Sequence, residues 1–419
     1  MLHTMLRAGA LTLLVLPATA GVITVDDSGG ADFSDLPAAI AAAQPGDVLL
    51  VEPGSYSGFL LQGKPLAILG QASGQVIVNG SSQVAGIPLG SEVVLADLDF
   101  WTLELSDSDG VIVVVGVRVF AWNDQNRFFV HDCADVRTLG LHADATGFVL
   151  APCGQSAVSL SGPGRVEIVD GFLEGRYGVY EECGERGLLA EGGVSLLLAG
   201  TSVLGGDGGD GDGGCGVMCF CPGYPGGDGA WVRGPGTRVR ITGLPDDVIV
   251  AGETGWPVSG CVVHACPIKF SDNGDPDSAL FHSGVDLQPT SGFKDICEPS
   301  PPKSLQIIPP EPLLELVSQG VPGSPLHLRV HGRPGDAVLL KLGRSAVVEP
   351  IPGVMVERLT SEESSIALGV IPLAPQYVEL KLFKVPVGGW PPGATFFAQA
   401  RILRNGAEWR TNSVPIVWR

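Results

Sequence analysis

The chain has 419 residues, of which 60 are glycine and only 17% are charged, and its formal net charge at pH 7 is −20. Nucleic acids and anionic membrane surfaces would repel so acidic a protein, which argues against both as partners. Abundant glycine with few charges indicates many tight turns and much buried surface, which favours a repetitive β architecture over a helical bundle.

The first twenty residues have the pattern of an export signal. Arg7 gives a positive start, and residues 8–16 form an apolar run that is too short to span a bilayer. Residues 18–20, Ala-Thr-Ala, fit a cleavage site of small residues. No second long apolar run follows, so we expect a secreted protein without a membrane span.

Residues 32–56, DFSDLPAAIAAAQPGDVLLVEPGSY, predict a short helix followed by a strand. Apolar side chains recur at helical spacing from Leu36 to Ala43, Ser34 is placed to cap the helix, and Pro37 is tolerated in its first turn. The all-apolar run 48–51 is typical of a strand buried on both faces. This arrangement resembles the opening of right-handed parallel β-helix proteins of the pectin-lyase-like superfamily. The resemblance implies that the helix caps the open end of the coil.

A repeated pattern follows, in which a short apolar strand, a polar or glycine turn and a second strand lead to Gly or Asp. Its copies begin at Thr102, Phe128, Ala157, Gly187 and Ala230. Each copy fits one rung of a solenoid, which buries alternate side chains and hydrogen-bonds only to its neighbours. We therefore predict a right-handed parallel β-helix over residues 21–285, with a long glycine-rich loop at 204–229.

The composition changes after this region. Residues 286–312 are rich in proline and predict an interdomain linker. Residues 313–419 alternate apolar and polar side chains between Pro and Gly turns, which predicts a small antiparallel β-sandwich. This part resembles the β-rich C-terminal modules of secreted bacterial β-helix proteins, most clearly at residues 397–418. The predicted fold class is therefore all-β.

Nine cysteines in an exported chain predict disulfides, and the odd number leaves at least one thiol unpaired. The candidate pairs are Cys133 with Cys153, Cys261 with Cys266, and two of Cys215, Cys219 and Cys221.

The most specific enzymatic hypothesis is a pectin methylesterase, because that family shares the helix-and-strand opening seen at residues 32–56. Residues 155–160, QSAVSL, look like that family's Q-A-V-A-L stretch, and the following strands lead to residues 175–180, GRYGVY. The family's catalytic aspartate belongs in that second segment, but no carboxylate stands there. The chain therefore has neither a nucleophile nor an acid/base for esterase chemistry. The aspartate cluster and G-H-G segment of polygalacturonases are also missing.

A calcium-dependent lyase would need carboxylates that hold calcium and an arginine or lysine that acts as the base. Asp170 lies near Arg165 and Arg176 in the sequence, so these three residues are the candidate catalytic group. Charged residues on outward positions of such a coil are usually only solvated.

The glycine-rich loop contains a candidate calcium site. Residues 205–210 match the core of calcium-binding β-roll repeats, so Asp207, Asp210 and Asp212 are candidate ligands. Carboxylates on a flexible backbone suit calcium because this ion accepts irregular oxygen shells. Only one copy of the repeat is present, and a solvated glycine loop is the alternative interpretation.

These observations predict a secreted, non-catalytic β-helix protein with a structural, adhesive or carbohydrate-facing role at the cell surface. The expected partners are polysaccharides or cell-surface components, and calcium is the one candidate cofactor. The alternative is a polysaccharide-active enzyme of the pectin-lyase-like superfamily, in the form of a calcium-dependent lyase. A sugar-binding strip of aromatic side chains would require exposure of Trp101, Trp122, Tyr177 and Tyr180.

Overall fold

A computed structural model describes most of the chain that follows the predicted export signal. The described residues are 21–71, 74–120, 127–145, 155–178, 184–208, 228–242, 248–250, 268–270, 278–282, 286–288, 296–297, 305–308, 313–318, 326–343, 346–351, 354–359, 364–372, 377–382 and 395–417. The predicted export signal at residues 1–20 lies outside them.

One parallel sheet holds the first 25 strands. They are β1 (Val22–Val25), β2 (Val48–Val51), β3 (Gly54–Ser57), β4 (Leu60–Gln62), β5 (Ala67–Gly70), β6 (Val76–Ala85), β7 (Glu92–Ala96), β8 (Asp99–Val115), β9 (Arg118–Phe120), β10 (Phe128–Leu139), β11 (His142–Asp144), β12 (Ser156–Ser161), β13 (Gly164–Val169), β14 (Phe172–Glu174), β15 (Arg186–Ala190), β16 (Val194–Ala199), β17 (Ser202–Leu204), β18 (Ala230–Val232), β19 (Arg238–Thr242), β20 (Val248–Val250), β21 (Ile268–Phe270), β22 (Ser278–His282), β23 (Asp286–Gln288), β24 (Ile296–Cys297) and β25 (Leu305–Ile308).

Three small antiparallel sheets hold the remaining strands. These strands are β26 (Leu313–Ser318), β27 (Leu326–His331), β28 (Ala337–Gly343), β29 (Ala346–Ile351), β30 (Val354–Leu359), β31 (Ser364–Val370), β32 (Tyr377–Leu382), β33 (Thr395–Arg404) and β34 (Ala407–Val417). The sheet orders are β26-β27-β32, β31-β28-β33-β34 and β29-β30. The described part of the chain is thus all-β apart from one short helix, α1 (Leu36–Ala42).

Helix α1 precedes the second strand of the parallel sheet. Its cap is Asp35, whose carboxylate accepts the Leu36 N–H at 2.9 Å, and not the predicted Ser34. The same carboxylate oxygen accepts the Ser57 N–H at 2.9 Å, which ties the start of the helix to β3.

The strand pairings form three ladders of parallel strands. Ladder I contains β1, β2, β5, β7, the second half of β8 and of β10, then β13, β16, β19, β22 and β25. Ladder II contains β4, the second half of β6, the middle of β8, the first half of β10, then β12, β15, β18, β21 and β24. Ladder III contains β3, the starts of β6 and β8, then β9, β11, β14, β17, β20 and β23.

The repeat strands lie where the sequence pattern predicts them. From β10 onward the chain visits ladder II, then ladder I, then ladder III, and each strand pairs with its counterpart in the next repeat. Buried apolar side chains from all three ladders, such as Val136, Leu160 and Leu173, belong to one continuous cluster. Each fully buried side chain of this size contributes roughly 1.5–3 kcal/mol, so the cluster is the main source of stability.

The turn from ladder I to ladder III uses the same backbone conformation in successive repeats. Its residues are Asp97, Gly116, Gly140, Asp170 and Gly200, with φ of 54°, 59°, 62°, 49° and 58°. This left-handed region favours glycine and tolerates aspartate. A Cβ at Gly200 would also lie 2.7 Å from Oδ1 of Asp170 in the preceding repeat, so the glycine is needed for space as well.

The parallel sheet extends further than the sequence predicts. Strands β23, β24 and β25 pair with β20, β21 and β22, although they lie within the predicted linker at 286–312. The end of the parallel sheet therefore moves from the predicted residue 285 to Ile308. Proline-rich composition suggested a linker, but the prolines of this segment fall between the short strands.

The antiparallel sheets pack against the outer face of ladder I. Their buried side chains, including Leu328, Leu340 and Phe396, share one apolar cluster with Val113 and Val169 of ladder I. Since side chains alternate along a strand, these two valines point away from the cluster enclosed by the three ladders. Among the described residues, no helix is long and apolar enough to cross a membrane.

Candidate functional site

The candidate base Arg165 lies on the covered face of ladder I. Its Nη2 donates to Oε2 of Glu167 at 2.7 Å, and Glu167 is fully buried. Its Nη1 lies 3.9 Å from Oδ1 of Asp135. Burial lowers the pKa of Arg165, but both carboxylates oppose that shift. Arg165 is therefore held in ion pairs and is not presented to a substrate.

Arg165 belongs to a group of six charged side chains, which we call the interface charges. They are Glu92, Asp135, Arg137, Arg165, Glu167 and Arg240. Arg137 is 2% exposed, donates to Asp135 at 2.6 Å, and lies over the ring of Phe397 with 4.5 Å to its centroid. Burial lowers the pKa of Arg240 to about 10 and raises the pKa of Glu167. The interface charges thus lie between ladder I and the antiparallel sheets.

The second candidate, Arg176, lies in a different buried group. Its Nε is 3.6 Å from Oε1 of Glu185, and Glu185 also accepts Nη2 of Arg127 at 2.8 Å. Arg127 donates in addition to the Ser156 carbonyl at 2.7 Å. All three charged side chains are at least nine-tenths buried, so this group ties the end of one repeat to the start of the next.

Asp170, the third candidate, occupies the turn between β13 and β14 with φ of 49°. Its carboxylate lies against Gly200 of the following repeat. The structure therefore places Asp170, Arg165 and Arg176 in three separate surroundings and does not bring them together around one groove.

The candidate calcium ligands are only partly described. Asp207 follows β17, and its carbonyl accepts the Gly178 N–H at 2.6 Å. Asp210 and Asp212 lie outside the described residues. Among the described residues, the group whose ligand atoms converge as a metal site requires is Asp107, His131 and Asp132.

The outer face of ladder II presents a continuous row of six half-buried side chains, which we call the ladder II row. Parallel pairing aligns them in the order Gln83, Glu104, Phe129, Ser159, Leu189 and Trp231. Their neighbours along each strand, such as Leu105 and Val130, are buried in the central cluster. Because side chains alternate between the two faces of a strand, the row points outward.

Trp231, at the end of the row, is packed by two guanidinium groups. Those of Arg186 and Arg233 lie 3.9 Å and 4.6 Å from its ring centroid. Arg186 lies 3.7 Å from Oδ2 of Asp228, and Arg233 donates to Glu191. Two arginines and two carboxylates therefore balance among these four side chains, and Lys269 pairs with Trp231 on the next strand of the ladder. Each cation–π contact contributes about 0.5–1 kcal/mol at such a site, so both arginines favour this position of the indole.

The other end of the row is polar. Nε2 of Gln83 donates to Oε1 of Glu104 at 3.0 Å and to Oγ of Ser106 at 3.2 Å. Phe129 and Leu189 provide the apolar surface between this pair and the indole. The row therefore combines flat apolar surface with amide, carboxylate and hydroxyl groups.

Two of the aromatic residues that the sequence singled out, Trp101 and Tyr177, are described by the structure, and neither belongs to the ladder II row. Trp101 is half-buried and Tyr177 is 45% exposed, while Trp122 and Tyr180 lie outside the described residues. A hydrogen bond from Tyr177 to Glu174 at 2.6 Å raises the pKa of this tyrosine to about 12. Trp231 was missed because Ala230, Trp231 and Val232 are all apolar, so no alternation in the sequence marks the indole as outward.

No family model and no curated protein matches the chain. A solved structure of a DUF3823 family protein from Bacteroides ovatus is 15% identical over 32% of this chain and 70% of that chain, with a TM-score of 0.21. A TM-score this low carries no argument about fold or function.

Proposed function

We propose that this chain is a secreted, non-catalytic protein that binds a polysaccharide at the cell surface through the ladder II row. The observation that carries the proposal is the row itself, in which Phe129, Leu189 and the arginine-packed Trp231 stand in line on an outer face. Secretion rests on the export pattern of residues 1–20.

We further propose that the three ladders are the faces of a right-handed parallel β-helix of the pectin-lyase-like type, capped by α1. Support comes from the fixed order in which the chain visits the ladders and from the cluster that their inner side chains share. Crossovers between parallel strands are right-handed in almost all proteins, which supports the handedness. The antiparallel strands, whose buried faces share one cluster, are proposed to form a β-sandwich.

The absence of catalysis is supported by the surroundings of the candidate residues. A lyase needs a base that can reach the substrate and carboxylates that converge on the same point. Arg165 and Arg176 are instead buried in two separate ion-pair groups, and Asp170 lies in a turn against Gly200. These placements favour a binding protein over the alternative of a calcium-dependent lyase.

Polysaccharide is the ligand class that suits the ladder II row best. Neighbouring strands lie about 4.8 Å apart, so six aligned side chains span roughly 24 Å, the scale of several sugar rings. Sugars combine apolar C–H faces, which suit Phe129 and Leu189, with hydroxyls, which suit Gln83 and Glu104. The net charge of −20 opposes an acidic glycan, so a neutral one is the proposed ligand.

The experiment measures dissociation constants of the full mature chain on a panel of neutral and acidic polysaccharides, and compares Trp231→Ala with the wild type. We expect the variant to bind its best neutral ligand at least 10-fold more weakly. The matched control is Trp409→Ala, because Trp409 also contacts an arginine and is 40% exposed but lies on an antiparallel sheet. Unchanged binding by Trp231→Ala, or an equal loss in the control, would overturn the proposal.

A further inference from the structure

A second group of polar side chains lies at the turn from ladder II to ladder I. Asp132 has φ of 49°, and Asp107 occupies the same place one repeat earlier with φ of 48°. The strand pairing sets the two aspartates side by side, because Ser106 pairs with His131 and Ser108 pairs with Cys133. Asp107, His131 and Asp132 are all exposed, so water and ions reach them.

The three side chains converge. One ligand atom from each lies within 4.8 Å of the other two, and Nε2 of His131 is 2.9 Å from Oδ2 of Asp132. A divalent ion of the zinc class binds nitrogen and oxygen at about 2.0–2.2 Å in tetrahedral geometry, which sets adjacent ligand atoms roughly 3.3–3.6 Å apart. The contact of 2.9 Å between His131 and Asp132 is that of a hydrogen bond, so these two atoms separate by a few tenths of an ångström, and Asp107 moves closer, when an ion binds.

The second ring nitrogen of His131 has the kind of partner that a metal-binding histidine usually has. Nδ1 of His131 lies 2.9 Å from Oγ of Ser161 in the following repeat. Histidines that bind a metal through one ring nitrogen almost always donate the other N–H to an oxygen, which fixes the ring and the tautomer. A metal on Nε2 requires the tautomer in which Nδ1–H donates to the Ser161 hydroxyl, and the ion then replaces the proton between Nε2 and the Asp132 carboxylate.

We propose that Asp107, His131 and Asp132 bind one divalent transition-metal ion of the zinc class, with water in the remaining positions. Imidazole with carboxylates is a donor set that suits zinc, whereas calcium prefers oxygen ligands alone. Ser161 orients the histidine and does not touch the ion. This site is separate from the predicted calcium loop and does not depend on polysaccharide binding.

The test titrates Zn²⁺ into the full mature chain at pH 7 by calorimetry. His131→Ala should lose one equivalent of bound zinc. Asp107→Asn and Ser161→Ala should each weaken that equivalent by about 10-fold, as changes around metal sites typically do. The matched control is Asp109→Asn, which removes an exposed carboxylate of the same turn that is not part of the group and should leave the titration unchanged.

A chemical readout distinguishes this site from zinc held elsewhere, for example by cysteines. Diethyl pyrocarbonate modifies accessible imidazoles, and peptide mapping by mass spectrometry locates each modified histidine. Zn²⁺ should protect His131 in the wild type and in Asp109→Asn, and should protect it less in Asp107→Asn. Equal modification of His131 with and without Zn²⁺, or an unchanged zinc equivalent in His131→Ala, would overturn the proposal.

Discussion

Replacing Glu167 by glutamine should lower the free energy of unfolding by about 3–5 kcal/mol, because it breaks a buried ion pair and leaves the partner charged. Glu167 is fully buried and accepts Nη2 of Arg165 at 2.7 Å. Glu167 also interacts electrostatically with Arg240. Burial lowers the pKa of Arg240 to about 10, and the negative charge of Glu167 favours the charged form of this arginine.

The magnitude follows from the charges at this interface. Three carboxylates and three guanidinium groups balance when all are ionised, so the substitution leaves one uncompensated positive charge between ladder I and the antiparallel sheets. Unfolding entropy of about 2.1 cal/mol/K per residue gives roughly 0.8 kcal/mol/K for a chain of this length. A loss of 3–5 kcal/mol then corresponds to a decrease in Tm of about 4–6 °C.

Differential scanning calorimetry of the full mature chain measures this decrease. Glu174→Gln is the control, because this half-buried carboxylate accepts a hydrogen bond from an exposed tyrosine and should change Tm by less than about 2 °C. The double variant Glu167→Leu with Arg165→Met should recover most of the loss, since two apolar side chains replace the pair. A decrease below about 1 °C for Glu167→Gln would refute the reasoning.

Three further outcomes can be checked separately. Gly200→Ala should lower the Tm measured by circular dichroism by several degrees, because Gly200 has φ of 58° and a Cβ there would lie 2.7 Å from Oδ1 of Asp170. An unchanged Tm would contradict the turn geometry. Burial alone would raise the pKa of Asp336, but two hydrogen bonds from Arg404 and one from the backbone outweigh it and lower that pKa below its ordinary 3.8. The stabilisation by the ionised Asp336 is therefore complete above about pH 4 and is lost as the pH falls further. The free energy of unfolding in urea should therefore decrease less between pH 4 and 2 for Asp336→Asn than for the wild type. An equal decrease in the two proteins would contradict the pairing. N-terminal sequencing of the exported protein should begin at Gly21, and a retained residue 1 would contradict the export signal.

Local patterns in the sequence predicted the strands well. The run Val48–Val51 is a strand with the predicted bounds, and the repeats that begin at Thr102 and Phe128 coincide with β8 and β10. These predictions succeed because alternation and turn residues act within a few positions of each other. The cap residue was wrong by one position, since Ser34 and Asp35 both suit a cap and only the backbone distinguishes them.

Contacts between distant parts of the chain were harder to predict. Arg165 points to the outer face of ladder I, and only the docking of strands beyond Leu313 makes that face buried. The partners of Trp231 in the preceding repeat are set by strand pairing across a long intervening loop, so Arg186 could not be assigned to it from sequence. Strands β23 to β25 are two to four residues long, too short for a periodic signal.

The most direct test of the account measures binding and product release together. The mature chain is incubated with each polysaccharide of the panel, with calcium and with a chelator, and both retention on the glycan and new chain ends are recorded. The account predicts binding to a neutral glycan that depends on Trp231 and releases no new ends in either condition. Calcium-dependent release of unsaturated ends from any glycan would contradict it and would establish the lyase alternative.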